Sequence, residues 1–167
     1  MSLYIGVDGG LGGGLVAIND KQDVVFNHTM PVIRGKKTEF DIQNIFNNIK
    51  SIINLANNEK IFVSLEKAHV RPISGKRACF MTGYGFGLIQ GILGGLNVSY
   101  EIVDPKVWQK DIFVGMTYED TKQASISFCK KKWPNISWTA TERSTKAHDG
   151  MTDAACIALY CYRRNRQ

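Results

Sequence analysis

The sequence contains few of the residues that build disulfide scaffolds or zinc sites. Its 167 residues include four cysteines and three histidines, and no cysteine pair has the two-residue separation of a zinc ligand pair. Cys79, Cys129, Cys156 and Cys161 therefore predict free thiols in a reduced compartment and argue against a zinc cluster. A chain of this length buries enough apolar surface to fold without disulfides.

Long apolar runs are also missing. The longest run, residues 86–96, is interrupted by glycines and is too short to cross a bilayer. The first seven residues are too few for the hydrophobic part of a signal peptide, and they continue directly into a strand pattern. With 44% hydrophobic and 22% charged residues, the chain predicts one globular domain over residues 1–167, cytoplasmic and not secreted.

Positively charged residues outnumber negatively charged ones. Lys and Arg number 21 and Asp and Glu number 15, which gives a formal net charge of +6. A basic domain favours a polyanionic partner, nucleic acid before membrane. Solubility alone explains such a charge equally well.

The order of apolar runs and turns predicts a mixed α/β fold. Residues 3–7, 15–18 and 24–30 predict three strands joined by tight turns, which is typical of an antiparallel meander. Two further strands, 61–65 and 100–103, alternate with helices. We therefore expect one mixed five-stranded sheet with helices on both faces.

The helices are predicted from apolar spacing and capping residues. Apolar residues from Ile42 to Ala56 repeat at three and four, and Thr38 with Asp41 forms a weak capping box for that helix. Glycine-rich residues 77–96, residues 105–108 and residues 121–132 predict three more helices. A last helix begins at Asp149 or Thr152, and Asp149 has the character of its N-cap.

Four acidic residues lie at positions that we expect to meet at one edge of the sheet. Asp8 and Glu66 end the first and fourth predicted strands, and Asp149 and Asp153 share one face of the last helix. Four carboxylates in one pocket repel each other unless divalent cations enter. Mg²⁺ or Mn²⁺ prefers such oxygen ligands, and a pair of ions suits phosphodiester hydrolysis.

Each acid also has an ordinary structural explanation. Asp8 is a turn residue beside glycines, and Glu66 is a candidate for a surface ion pair. Asp149 caps a helix, and Asp153 lies where the helix dipole favours a negative charge.

Without these four acids the rest of the chain would carry a net charge of about +10, which suits a protein that holds a phosphate backbone around an acidic pocket.

Five sequence motifs resemble one enzyme family. They are residues 5–10 (IGVDGG), 63–69 (VSLEKAH), 84–87 (YGFG), 103–110 (VDPKVWQK) and 148–155 (HDGMTDAA). In this order they resemble the RuvC-type Holliday-junction resolvases of the RNase H-like superfamily, particularly the phage and viral members. The resemblance covers nearly the whole chain.

The resemblance implies an RNase H-like homodimer that cuts four-way DNA junctions with Mg²⁺, leaving 5′-phosphate and 3′-hydroxyl ends. It matches Asp8, Glu66 and Asp153 to the catalytic and metal-binding acids. The family places its fourth ligand three residues before Asp153, where this chain has Gly150. Asp149 is therefore the expected fourth ligand, and His148 is the alternative.

Basic residues near the motifs are expected to hold DNA. These are His69, Arg71, Lys76, Arg77, Lys106, Lys110 and Lys146, with His69 a candidate for stacking on a base. The glycines of residues 77–96 permit close approach to the sheet or to a second subunit.

Two other functions remain open at the level of sequence. A RuvX-like nuclease that processes RNA would share the fold. A junction-binding module with a dead site would have lost an acid, and here only the spacing at Asp149 departs from the pattern. The resemblance to phage and viral proteins also places the protein in a bacterial or virus-infected cell.

Overall fold

The computed structural model describes residues 2–70 and 72–166, and a five-stranded sheet forms its centre. Its strands and those of a small hairpin are β1 (Leu3–Asp8), β2 (Gly14–Asn19), β3 (Val24–Thr29), β4 (Val32–Arg34), β5 (Thr38–Phe40), β6 (Ile61–Glu66) and β7 (Glu101–Val103). The helices are α1 (Ile42–Leu55), α2 (Lys76–Gly95), α3 (Pro105–Ile112), α4 (Thr121–Lys132) and α5 (Asp149–Asn165).

The sheet has the order β3-β2-β1-β6-β7. The first three strands pair antiparallel, whereas β6 and β7 run parallel to β1. This is the predicted mixed sheet with its meander, and the prediction is confirmed. Strand β1 is the middle strand of the sheet, and all its residues before Asp8 are buried on both faces.

One feature was not predicted, the hairpin of β4 and β5. The charged segment at residues 34–37 is typical of an exposed linker, but Arg34 pairs with Thr38 across a turn. Thr38 is therefore a strand residue, and its assignment as a helix cap was wrong. Asp41 caps α1 instead, because its carboxylate accepts the backbone N–H of Asn44 at 3.1 Å.

Two hydrophobic layers cover the two faces of the sheet. Alternate residues of β1, from Leu3 to Val7, pack with α1 and α2 on one face. Tyr4 on the other face packs with α3, α4 and α5. Helices therefore lie on both faces, as the sequence predicts.

A close backbone contact in the core joins β1 to α5. A Cβ on Gly6 would lie 2.0 Å from the carbonyl oxygen of Ala154 and 2.3 Å from the nitrogen of Ala158. Only glycine fits there, and small residues along α5 let its backbone lie directly on the strand. The contact fixes the position of the first turns of α5.

Most glycines of α2 do not serve packing against the sheet. Gly85 does, since a Cβ there would meet Phe40 and the carbonyl of Gly9. A Cβ at Gly83, Gly87 or Gly91 would instead point into open space, with no other element within 4 Å of it. Their face of α2 is open, together with the exposed rings of Phe80 and Tyr84.

No helix among the described residues is long and apolar enough to cross a membrane. The four cysteines have free thiols, three of them buried, as the sequence predicts.

The contact at Gly6 gives a test of the fold. Gly6→Ala should lower the free energy of unfolding by about 2–3 kcal/mol or more, because the added carbon overlaps backbone atoms that cannot rotate away. Gly95→Ala, at an open helix position, is the matched control and should be neutral or slightly stabilising. Urea unfolding measures both, and equal stability of the two variants would contradict the packing described.

Candidate active site

Two acidic side chains lie side by side at one edge of the sheet. Strands β1 and β6 are parallel, and Val7 pairs with Leu65. The next residues, Asp8 and Glu66, therefore end neighbouring strands at the same edge. Strand alternation places both on the face that α5 covers, since Tyr4 and Phe62 on the same alternation pack there.

Helix α5 brings a third acid to this edge. Asp153 is in its second turn, and it lines one pocket of about 600 Å³ with Asp8 and Glu66. We call this the acid pocket. Its wall also contains Asp104 and the lysines Lys67, Lys106 and Lys122. The pocket thus combines acids on its sheet edge with basic side chains around them.

Glu66 is held by a buried tryptophan. The indole N–H of Trp108 in α3 donates to Oε2 of Glu66 at 3.0 Å. The pKa of Glu66 is raised to about 8, first by burial and then by the charge of Asp8, although the Trp108 hydrogen bond acts in the opposite direction. Glu66 therefore keeps a proton at neutral pH unless positive charge enters the pocket.

The pKa values of Asp153 and Asp8 are also raised. Burial raises the pKa of Asp153 to about 7, against the hydrogen bond from Ser125, and the charges of Asp8 and Asp149 add to the rise. Burial also raises the pKa of Asp8, although its Oδ1 accepts the backbone N–H of Gly10 at 3.1 Å. Perturbed acids gathered in a cleft are typical of functional sites.

Helix α5 begins at Asp149, which is one of the two predicted starts, but its N-cap differs from the prediction. The N-cap is His148, whose Nδ1 accepts the backbone N–H of Met151 at 3.2 Å, so Asp149 was wrong as the cap. Asp149 is the first helical residue, and its Oδ2 lies 2.6 Å from Nζ of Lys122. Burial raises its pKa, but the hydrogen bond and charge of Lys122 outweigh burial and lower it.

Neither candidate for the fourth ligand lines the acid pocket. The charge of Asp149 still raises the pKa of Asp8 and of Asp153, so it lies near them. His148 lines a different pocket, together with Leu11 and Gly12 of the turn between β1 and β2 (residues 9–13), which we call the glycine turn. Burial lowers the pKa of His148.

The predicted DNA-binding residues divide into two groups. His69 and Lys106 line the acid pocket, and Nε2 of His69 lies 3.3 Å from Oδ2 of Asp104. The remaining described ones lie outside its wall: Lys76, Arg77, Lys110 and Lys146. Arg77 donates to the carbonyl of Thr38 at 2.8 Å, which ties α2 to β5. Arg71 lies outside the described residues.

Sequence reasoning did not identify the residues that hold the acids. Lys122 and Ser125 are one turn apart on α4 and interact with Asp149 and Asp153 of α5. Trp108 and Asp104 lie in the motif at residues 103–110, which assigned neither of them to the site. Asp104 caps α3 and also borders the pocket. No local pattern marks such partners, because each contact joins distant parts of the chain.

The acids suit a hard divalent cation in their chemistry. Carboxylate oxygens are the ligands that such ions prefer, and positive charge would relieve the raised pKa values. Among residues 2–70 and 72–166, no group of three or more His, Cys, Asp or Glu side chains is already arranged to hold an ion.

The raised pKa values predict how pH affects stability without metal. Between about pH 5 and 8 the folded protein keeps protons on Glu66 and Asp153 that the unfolded chain has released. The unfolded state then binds fewer protons, so the free energy of unfolding should fall as pH rises through this window. Urea unfolding in EDTA at a series of pH values measures it.

Glu66→Gln is the matched variant, because it cannot titrate at that position. Its stability should depend less steeply on pH than that of the wild type, while all other titrating groups are shared. Parallel pH profiles for the two proteins would contradict the pKa assigned to Glu66.

The comparisons with known proteins concern the fold. No family model matches the sequence, and no curated protein matches it. A solved structure of Thermus thermophilus RuvC in complex with a Holliday junction substrate matches with a TM-score of 0.67 and 14% identity, over 98% of this chain and 96% of that chain. Another T. thermophilus RuvC structure matches with a TM-score of 0.55 and 15% identity, over the same shares. The chain therefore has the RuvC fold along nearly its whole length, as the sequence motifs predict.

Proposed function

We propose that this protein is a metal-dependent endonuclease that resolves four-way DNA junctions, leaving 5′-phosphate and 3′-hydroxyl ends. One observation carries the proposal: Asp8, Glu66 and Asp153 share a pocket with raised pKa values on a RuvC fold. A structure matched at this fold is a RuvC bound to a Holliday junction substrate. The basic charge of the chain suits a DNA partner.

The acids would hold Mg²⁺, with Mn²⁺ as a substitute, and two ions per site suit the reaction. Such ions, when bound, lower the pKa of an attacking water and stabilise the departing oxygen. Asp8 lies between Glu66 on the neighbouring strand and Asp153 on α5, so it is the acid placed to serve both ions. Asp149 is the proposed fourth ligand, and it must leave Lys122 to reach an ion.

The surrounding residues orient the acids and the DNA. Trp108 fixes one oxygen of Glu66, and Ser125 supports Asp153. Lys106 and Lys67 border the pocket, where their charges would hold the phosphates next to the cut. His69 at the same border is the proposed base-stacking residue.

The other basic residues would hold the arms of the junction. Lys76 and Arg77 begin α2 beside the loop that follows Glu66, and Lys110 and Lys146 are exposed. Exposed lysines outside the cleft can neutralise phosphates at a distance from the cut. We retain Arg71 in this group from the sequence alone.

A homodimer fits the open face of α2. The exposed Phe80 and Tyr84 stack on each other with ring centroids 5.9 Å apart, and Gly83, Gly87 and Gly91 continue the same face. Apolar rings beside a strip without side chains permit close contact with a second copy of α2. A twofold dimer would place two acid pockets against a substrate of matching symmetry.

Asp8→Asn tests the catalytic assignment. The variant should cut a labelled four-way junction in Mg²⁺ at least about 100- to 1,000-fold more slowly, because it loses a carboxylate that would hold the metal ions. It should bind the junction as tightly as the wild type or more tightly, since a repulsive charge is gone. Gel analysis of nicks and a binding titration in EDTA provide both values.

Glu142→Gln is the control, because Glu142 is an exposed loop acid outside the acid pocket. It should cut at the wild-type rate. Wild-type protein that binds the junction without cutting it would point to a binding module. Cleavage of RNA but not of the junction would favour the RuvX-like alternative.

Gly87→Glu tests the dimer. A charged side chain in the middle of the open α2 face should convert the protein to a monomer in sedimentation velocity experiments. Ser51→Glu, on an exposed position of α1, should leave the dimer intact. Monomeric wild-type protein, or a dimer that survives Gly87→Glu, would contradict this interface.

A further inference from the structure

A second pocket lies on the far side of the glycine turn from the acid pocket. Its volume is about 520 Å³, which is within the range of small-molecule sites. Six parts of the fold form its wall: the glycine turn, the end of β3, strand β4, α1 with its N-cap, the loop at residues 140–141 and the N-cap of α5. Its lining includes Gly12, Arg34, Asn48, Thr141 and His148. We call it the turn-side pocket.

The glycine turn contributes to the walls of both pockets. Gly9 and Gly10 line the acid pocket, whereas Leu11 and Gly12 line the turn-side pocket. Gly10 and Gly12 are two residues apart, so their Cα atoms are separated by at most about 7 Å. A DNA strand with one phosphate in the acid pocket can therefore place a nearby nucleotide in the turn-side pocket.

The wall of the turn-side pocket offers donors and acceptors together. Because Nδ1 of His148 accepts the N–H of Met151, the ring hydrogen is on Nε2, which is a donor. Asn48 brings an amide that can donate and accept at once, and Thr141 adds a hydroxyl. Amide side chains pair with the edges of bases through two hydrogen bonds.

Charged side chains of both signs line this pocket. Asp41 is a carboxylate of the wall, and both its oxygens accept hydrogen bonds from Asn44. Arg34 also lines the pocket, and the exposed turn that follows it carries Lys36 and Lys37. A phosphate therefore suits the side of Arg34, and a neutral group suits the side of Asp41 on α1.

We propose that the turn-side pocket binds one unpaired nucleotide of a DNA strand, with the base against Asn48 and His148 and the phosphate at Arg34. The inference rests on the proposed function, because it gives that nuclease a second contact on the strand it cuts. Nucleotides at a branch point are already unstacked in part, so turning one into a pocket costs little.

Single-stranded DNA tests the pocket without a junction. The probes are a fluorescent oligonucleotide of about ten nucleotides, a typical site size, and the same strand with abasic sugars. Binding is measured by anisotropy in EDTA. The wild type should prefer the strand with bases, and Asn48→Ala should lose about five- to 100-fold in affinity for it, the size of a lost base contact. Its affinity for the abasic strand should not change.

Asn47→Ala is the matched control. Asn47 is the neighbouring residue on α1, is exposed, and accepts a hydrogen bond from Gln43 within the helix. It should bind both strands as the wild type does. Arg34→Gln should reduce the dependence of log affinity on log salt by about 0.7, the value of one phosphate contact on a single strand.

The outcomes separate this inference from the proposed function. If Asn48→Ala and Asn47→Ala bind alike, or the wild type binds neither strand, the inference is overturned even where the junction is cut. If Asn48→Ala alone loses the preference for bases, the pocket stands even where the junction is not cut. Tighter binding of the same strand as RNA overturns the assignment to DNA.

Discussion

The architecture of this protein depends on one backbone contact, that of α5 on β1 at Gly6. The distance at that glycine leaves no room for a side chain. Gly150 of α5 makes a second contact of this kind with the turn after Asp8, since a Cβ on Gly150 would lie 2.0 Å from the carbonyl of Gly12. These contacts set the start of α5 against the end of β1, so Asp153 comes next to Asp8. The acid pocket is thus a consequence of how closely a helix can lie on a strand.

The parts of the site that follow from strand rules could be predicted from sequence. Buried strands ended by Asp8 and Glu66 have their carboxyl ends at one edge when they run parallel, and helical spacing identified Asp153. Each of these steps uses only local patterns and one rule of sheet geometry. The same reasoning gave the sheet, because its apolar runs and turns are strongly marked.

The parts that depend on contacts between distant segments could not be predicted. Lys122 holds Asp149, and Trp108 holds Glu66, across separations that leave no pattern in the sequence. The β4–β5 hairpin was missed for another reason. Its strands have three residues each, and Arg34 to Lys37 carry the charges of an exposed linker. A strand so short shows no alternation to detect.

The burial of α5 also determines how the site can fluctuate. From Gly150 to Cys161 every residue except Asp153 is buried, so the helix that carries this acid belongs to the most protected part of the core. The segment after Glu66 is different, since Val70 and Ile73 are exposed. Amide hydrogens of this buried part of α5 would then exchange with solvent only when the whole domain opens, whereas those of Val70 and Ile73 would exchange through local opening. The protein thus joins a buried helix that carries Asp153 to an exposed border beyond Glu66, so the border can change shape without disturbing that helix.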